Sequence, residues 1–134
     1  MTSVTPRLLA AVLAIVLIGA LPGAAATAKY GHTGARDRPL RDGCHDYRYH
    51  YVIKTPTNDW TLETFLVDPT GDTLASGTFI AGTDPRRGPG WFRFCRYSTR
   101  PGTFTIRAKV VWYSGPTSTE HKRWFKPSTF RLTR

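Results

Sequence analysis

PGTFTIRAKVVWY, residues 101–113, divides cleanly when every second position is read. Phe104, Ile106, Ala108, Val110 and Trp112 are apolar, whereas Thr103, Thr105, Arg107, Lys109, Val111 and Tyr113 are mixed and bring two positive charges. A period of two over this length predicts a β-strand with one face in a core and the other towards water. Pro101 and Gly102 open the strand with turn chemistry.

Working outward from this strand, the chain breaks into further β-type segments bounded by turn residues. Residues 45–54 (HDYRYHYVIK) are followed by the turn PTND, and 60–67 (WTLETFLV) by the turn DPTGD. Residues 73–82 (TLASGTFIAG) are weakened by Gly77 and lead into TDPRRGPG, which reads as a long loop. Residues 91–97 (WFRFCRY) precede the opening strand. After it SGPTSTEHK reads as a loop, and 123–133 as a last strand whose Pro127 suits an edge with a bulge. No amphipathic helix is apparent. Six short strands with frequent turns predict an all-β, antiparallel sandwich of about 6–7 strands.

The N-terminus reads as an address. Arg7, the uncharged run LLAAVLAIVLIGAL, the break at Pro22–Gly23 and the small residues AAATA have the layout of a secretory signal peptide. Cleavage fits after Ala26 or Ala28, and 1–28 is taken as the signal. The alternative, an uncleaved anchor, needs an apolar run of about 20 residues, longer than this one. Residues 29–43, KYGHTGARDRPLRDG, are polar and lack periodicity, and read as a flexible leader to one domain at 44–134. The expected location is secreted or extracellular, with no transmembrane segment in the mature chain. Cys44 and Cys95 are the only cysteines, which in an oxidising compartment predicts one disulfide. The formal net charge is +10, lowered by one when the signal leaves, and it favours anionic partners. High alanine in residues 1–28 and arginine over lysine suggest a bacterial source of high GC content.

Gly102-Thr103-Phe104-Thr105-Ile106 resembles the G-T-[YF]-T-[VI] pattern that begins the penultimate strand of many immunoglobulin-like domains, including polycystic-kidney-disease and bacterial Ig-like types. DPTGDTLASGTF, residues 68–79, is similar to the turn between two middle strands of such domains. The chain departs from antibody domains in that Cys95 precedes the Gly-Thr-Phe strand. The resemblance implies an Ig-like fold and no particular activity. It also implies that 45–54 and 91–97 are antiparallel neighbours, with Cys44 beside Cys95. With those two cysteines opposed, Asp46 faces Arg93 and Arg48 faces Trp91 on one side. His45 faces Phe94 and Tyr47 faces Phe92 on the other. Inward parity then falls to Tyr47, Tyr49, Tyr51 and Ile53; Trp60, Leu62, Thr64 and Leu66; Phe92 and Phe94; Phe104 to Trp112; and Phe130 and Leu132. The tyrosines need partners for their hydroxyls, which suits positions near the rim.

Chemistry-bearing residues are sparse. His32 lies in the leader, and His45 and His50 have opposite parity. A histidine with Glu63 and an arginine can be written as a ribonuclease-like set, but no spacing selects it. Asp68 and Asp72 flank a turn without calcium-loop spacing, and four scattered histidines give no zinc pattern, so no metal or cofactor is expected. Two surfaces remain. One is a mixed aromatic and basic sheet face carrying Glu63, Phe65, Arg107, Lys109, Tyr113 and Arg123, with Glu63 able to pair with Arg107 or Lys109. The other is loop tips, with Arg86 and Arg87 in TDPRRGPG and His121, Lys122 and Arg123 after the opening strand. The expected role is a non-catalytic binding or structural module of the cell envelope or extracellular space. It would engage an anionic polymer or an acidic protein surface, without sequence-specific nucleic-acid recognition. The alternatives are a small basic hydrolase of ribonuclease type, and an inhibitor or effector acting through its loops.

Overall fold

The computed structural model describes residues 29–134, so the signal peptide expected at 1–28 lies outside the described residues. The described chain is all-β, with nine strands: β1 Gly31–Gly34, β2 Arg38–Pro39, β3 Cys44–Ile53, β4 Trp60–Val67, β5 Thr73–Ile80, β6 Arg87–Cys95, β7 Gly102–Ser114, β8 Thr119–Trp124 and β9 Ser128–Thr133. They form two sheets. One has the order β1-β3-β6; the other has the order β2-β9-β7-β4-β5, with β8 also on β7. All pairings are antiparallel except β2 with β9, which is parallel and departs from the wholly antiparallel expectation.

The opening stretch is β7, and it organises the larger sheet. One edge pairs with β4, from Trp60↔Trp112 to Val67↔Thr105. The other edge is shared: β9 takes Gly102–Ile106 and β8 takes Lys109–Ser114. Residues 123–133 are therefore not one bulged strand. Pro127 lacks an N–H and cannot continue the ladder, so the chain breaks between β8 and β9 and drops Phe125 into the core. SGPTSTEHK is not a free loop either. Its second half is β8, turned back by Gly115 at φ 75° and Ser118 at φ 50°.

Cys44 and Cys95, 51 positions apart in sequence, are disulfide-bonded. Closing a loop of that length contributes ~4 kcal/mol in the chain-entropy picture. The β3–β6 register runs undisturbed from Cys44↔Cys95 through Asp46↔Arg93, Tyr47↔Phe92 and Arg48↔Trp91 to Val52↔Arg87. Every residue given inward parity is buried, and Leu62, Phe104, Ile106 and Val110 are fully so. The tyrosines are not at the rim. Tyr47, Tyr49 and Tyr51 are at most 2% exposed, and each hydroxyl finds a partner. Tyr47 Oη accepts from the Arg41 N–H, Tyr49 Oη bonds Thr64 Oγ1 at 2.7 Å, and Tyr51 Oη donates to the Pro85 carbonyl. Burial pushes the Tyr49 hydroxyl pKa up to about 12.

The tyrosine rings also explain why β6 begins earlier than its composition suggests. Tyr49 lies opposite Gly90 and Tyr51 opposite Gly88. A side chain at Gly90 would compete with the Tyr49 ring for the same space, whereas Gly88 is in ordinary contact with Tyr51. Arg87-Gly88-Pro89-Gly90 reads as loop because two glycines and a proline punctuate it, yet it is strand. The Tyr49 ring fills the side-chain space at Gly90, and Pro89 sits on an edge strand. The aromatics then lean along the ladder: Tyr49 stacks on Phe92 with centroids 4.2 Å apart, and Tyr47 on Phe94 at 4.4 Å.

The segment 29–43 is not a flexible leader. Gly31–Gly34 pairs with His50–Ile53, Arg38–Pro39 pairs with Leu132–Thr133, and Leu40 is 1% exposed in the core. Tyr30 stacks on Trp112 at 4.8 Å. Two short strands without periodicity are held by three anchoring side chains, Tyr30, Thr33 and Leu40, too few to register as a pattern.

At Gly90 an added Cβ would overlap the Tyr49 ring, whereas at Gly88 the nearest atoms lie 3.5 Å or more away. Gly90→Ala should therefore lower unfolding free energy by ~1–3 kcal/mol. Gly88→Ala should stay within about 1 kcal/mol of the parent. Chemical denaturation of the two variants, side by side, checks this.

Candidate anion-binding face

The same alternation that buries the β3 tyrosines turns Asp46, Arg48, His50 and Val52 outward. Their β6 neighbours Arg93, Trp91, Pro89 and Arg87 face the same way. β1 adds His32 opposite Val52 and Gly34 opposite His50. Arg38 donates from Nη2 to the Arg48 carbonyl at 3.0 Å and from Nε to the Arg36 carbonyl at 3.3 Å. These bonds draw the β1–β2 connection against β3 and bring Arg36 and Arg38 beside Arg48.

Two adjoining cavities open here. One, of about 420 Å³, is lined by Arg36, Arg38, Arg48 and His50 among others. The other, of about 430 Å³, is lined by Arg48, His50, Arg87 and Pro89 among others. They share Arg48 and His50 and hold no carboxylate in their linings. The acid nearest in register, Asp46, is committed to Arg93 at 3.4 Å, an exposed pair worth ~0–1 kcal/mol. Trp91, 55% exposed, stands opposite Arg48, and among the described residues no cation–ring contact joins the two.

Four arginines with unspent donors therefore converge on one groove. Guanidinium forks match the oxygens of phosphate or carboxylate two at a time. His32 and His50 lie on this face with ring centroids 6.1 Å apart. Neither imidazole has a hydrogen bond to the described residues. The other two histidines do: His45 Nε2 bonds the Asp42 carbonyl at 2.6 Å, and His121 Nε2 bonds Ser114 Oγ at 2.7 Å.

The face singled out by sequence lies on the other sheet and is balanced from within. Glu63 is in register with Lys109, and their charged ends are 2.6 Å apart. Arg107 sits over the Trp124 ring at 4.7 Å, with Phe65 tilted against the same ring. Tyr113 donates to Glu120, which raises its hydroxyl pKa. Arg123 does not belong to this face. It is in register with inward-facing Val110, so it turns to the opposite side and lies over Tyr30 at 5.9 Å. Arg86 and Arg87 do not share a loop tip. Arg86 is a clamp, donating to the carbonyls of Thr55 and Thr57 and to the side chains of Thr55 and Asn58. Arg87 is in β6 and joins the groove.

The ribonuclease-like set built on Glu63 and His121 does not assemble. Glu63 is spent on Lys109, and His121 is tied to Ser114 and stacked on Trp112. Among the described residues no group of three or more His, Cys, Asp or Glu converges as a metal site. Asp68 is a turn residue whose Oδ1 accepts from the Thr70 and Asp72 N–H groups and the Thr70 hydroxyl, while Oδ2 accepts from Thr99. Burial alone would raise its pKa, but these bonds outweigh it and hold the carboxyl below its ordinary value.

No protein-family model matches the chain, and no curated protein matches it.

A carboxyl whose pKa is depressed by folding adds stability above its unfolded value, near 4, which is lost as pH falls through the folded value. Asp68→Asn should cost ~1–3 kcal/mol at pH 7, and the gap to the parent should close as pH drops below about 4. Denaturation at pH 7 and pH 3 measures this, and added calcium should leave the parent's Tm unchanged. Arg86→Ala should cost ~2 kcal/mol for its lost charged hydrogen bonds, with no change in anion affinity.

Proposed function

We propose that this protein is a secreted, non-catalytic binding module that holds an anionic polymer against the outer face of its β1-β3-β6 sheet. The observation carrying this reading is the convergence of Arg36, Arg38, Arg48 and Arg87 on two adjoining cavities without a carboxylate in their linings. A groove that runs on past one guanidinium suits a chain of charges better than a single small anion. Exposed Trp91 beside it offers a flat ring to a neighbouring unit.

The fold supporting this face is taken to be an immunoglobulin-like sandwich. Two sheets around one core, a disulfide between neighbouring strands and the Gly102–Ile106 pattern at the head of a core strand support that assignment. The disulfide is compatible with secretion. No helix among the described residues is long and apolar enough to cross a membrane.

Titration of a fluorescent oligothymidylate at several salt concentrations tests the reading. Affinity should fall steeply with salt, with a log–log slope of about −3 for roughly four phosphates engaged. Arg48→Gln with Arg87→Gln should weaken binding at least ~10-fold and flatten the slope by one to two. Arg107→Gln, on the other sheet, should stay within about twofold. Equal losses from Arg107→Gln and from the Arg48/Arg87 pair would contradict the assignment.

A further inference from the structure

We infer that His32 and His50 form a proton-loaded subsite in the arginine groove, specific for phosphodiester groups, so that binding takes up protons and tightens as pH falls. The inference rests on the groove being the binding face.

The pair is assembled by register. His32 on β1 is opposite Val52, and His50 on β3 is opposite Gly34, so the two imidazoles are diagonal neighbours on one sheet face. Gly34 makes the seat: a Cβ there would lie 2.5 Å from His50 Cε1 and 2.8 Å from its Nε2. With no side chain at 34, the His50 ring lies back across β1 towards His32. These are also the two histidines without a hydrogen-bond partner among the described residues, so their ring nitrogens are free for a ligand. His50 lines both cavities alongside Arg48.

The charges facing the pair all have one sign. His32 is acted on by Lys54 at the end of β3, by His50 on β3 and by Arg87 on β6. His50 shares its cavities with Arg36 and Arg38 from the β1–β2 region, with Arg48 on its own strand and with Arg87. Burial first, then these cations, hold the His32 pKa below its usual value, leaving it neutral at pH 7 in the free protein. An anion in the groove reverses the balance at His32 and favours its protonated form. Where the bound pKa exceeds the free one, affinity rises as pH falls through the bound value and levels off below the free value. The steepest possible slope is about tenfold per pH unit for each proton taken up.

That window, roughly pH 7 down to pH 5, selects the ligand. A phosphodiester keeps its full charge throughout. Carboxylates, with ordinary values near 4, begin to lose theirs at its lower end. Phosphodiesters could come from a nucleic acid or from a polyol-phosphate polymer, and the two share the recognised chemistry.

The test is isothermal titration of the disulfide-bonded protein with oligothymidylate, with an abasic phosphodiester oligomer of equal length and with polyglutamate. Each is run at pH 7.5 and 5.5 at constant ionic strength. Two buffers of different ionisation enthalpy count the protons. The expected result is affinity for both phosphodiester probes at least ~10-fold higher at pH 5.5, with net proton uptake, and a smaller gain for polyglutamate. Tighter binding of oligothymidylate than of the abasic oligomer identifies nucleic acid as the source; equal binding identifies the phosphate chain alone. His32→Gln with His50→Gln should abolish the pH dependence, whereas Arg107→Gln, on the other sheet, should keep it. Proton counting on the parent protein decides the matter even if that variant folds poorly. Binding with a flat pH profile, a double variant that folds and keeps the full dependence, or an equal gain with polyglutamate would overturn the subsite and leave the groove standing. Absence of binding at both pH values would overturn the groove and the subsite together.

Discussion

The pairing of β3 with β6 is the constraint on which the rest depends. It is pinned at one end by the Cys44–Cys95 bond and at the other by tyrosine rings lying over Gly88 and Gly90. Because side chains alternate, a slip of one residue would turn Tyr47, Tyr49 and Tyr51 to water and Arg48 and His50 into the core. The disulfide and the glycines oppose that slip from both ends. The core and the basic face are two consequences of one register.

From that register the division of charge follows. On the larger sheet Lys109 is answered by Glu63 and Arg107 by the Trp124 ring. The smaller sheet carries cations that are not. Its one acid is held by Arg93, and the strands bring Arg48, Arg87, His32 and His50 together with Arg36 and Arg38 from the first connection. A protein with a formal charge of +10 could spread it evenly for solubility. Here four of its arginines meet where two cavities already exist.

Much of the fold is legible in sequence. The alternation in 104–112, the aromatic-rich 45–54 and 91–97, and two lone cysteines lead to the core, the disulfide and the β3–β6 register. The site is less legible, for a physical reason. Arg36 and Arg38 lie on one segment, Arg48 on a second and Arg87 on a third, and His32 is on β1, so only strand pairing unites them. β1 and β2 hide because they are short and anchored by few side chains. Residues 87–90 hide because glycine and proline normally punctuate turns, and their strand role depends on tyrosines about forty positions away. A usable signal was present: the register that opposes Arg48 to Trp91 already places a cation and a large ring on the outer face. The strength of β7 drew attention to Arg107 and Lys109 instead, whose neighbours neutralise them.

Backbone NMR shifts recorded while a short phosphodiester oligomer is titrated in at low salt locate the binding face most directly. The largest changes should fall on the amides of Arg48, His50, Arg87 and Trp91, with Arg107, Lys109 and Trp124 nearly unmoved. Changes centred on β4, β7 and β8, or scattered evenly over both sheets, would contradict the assignment of function to the β1-β3-β6 face.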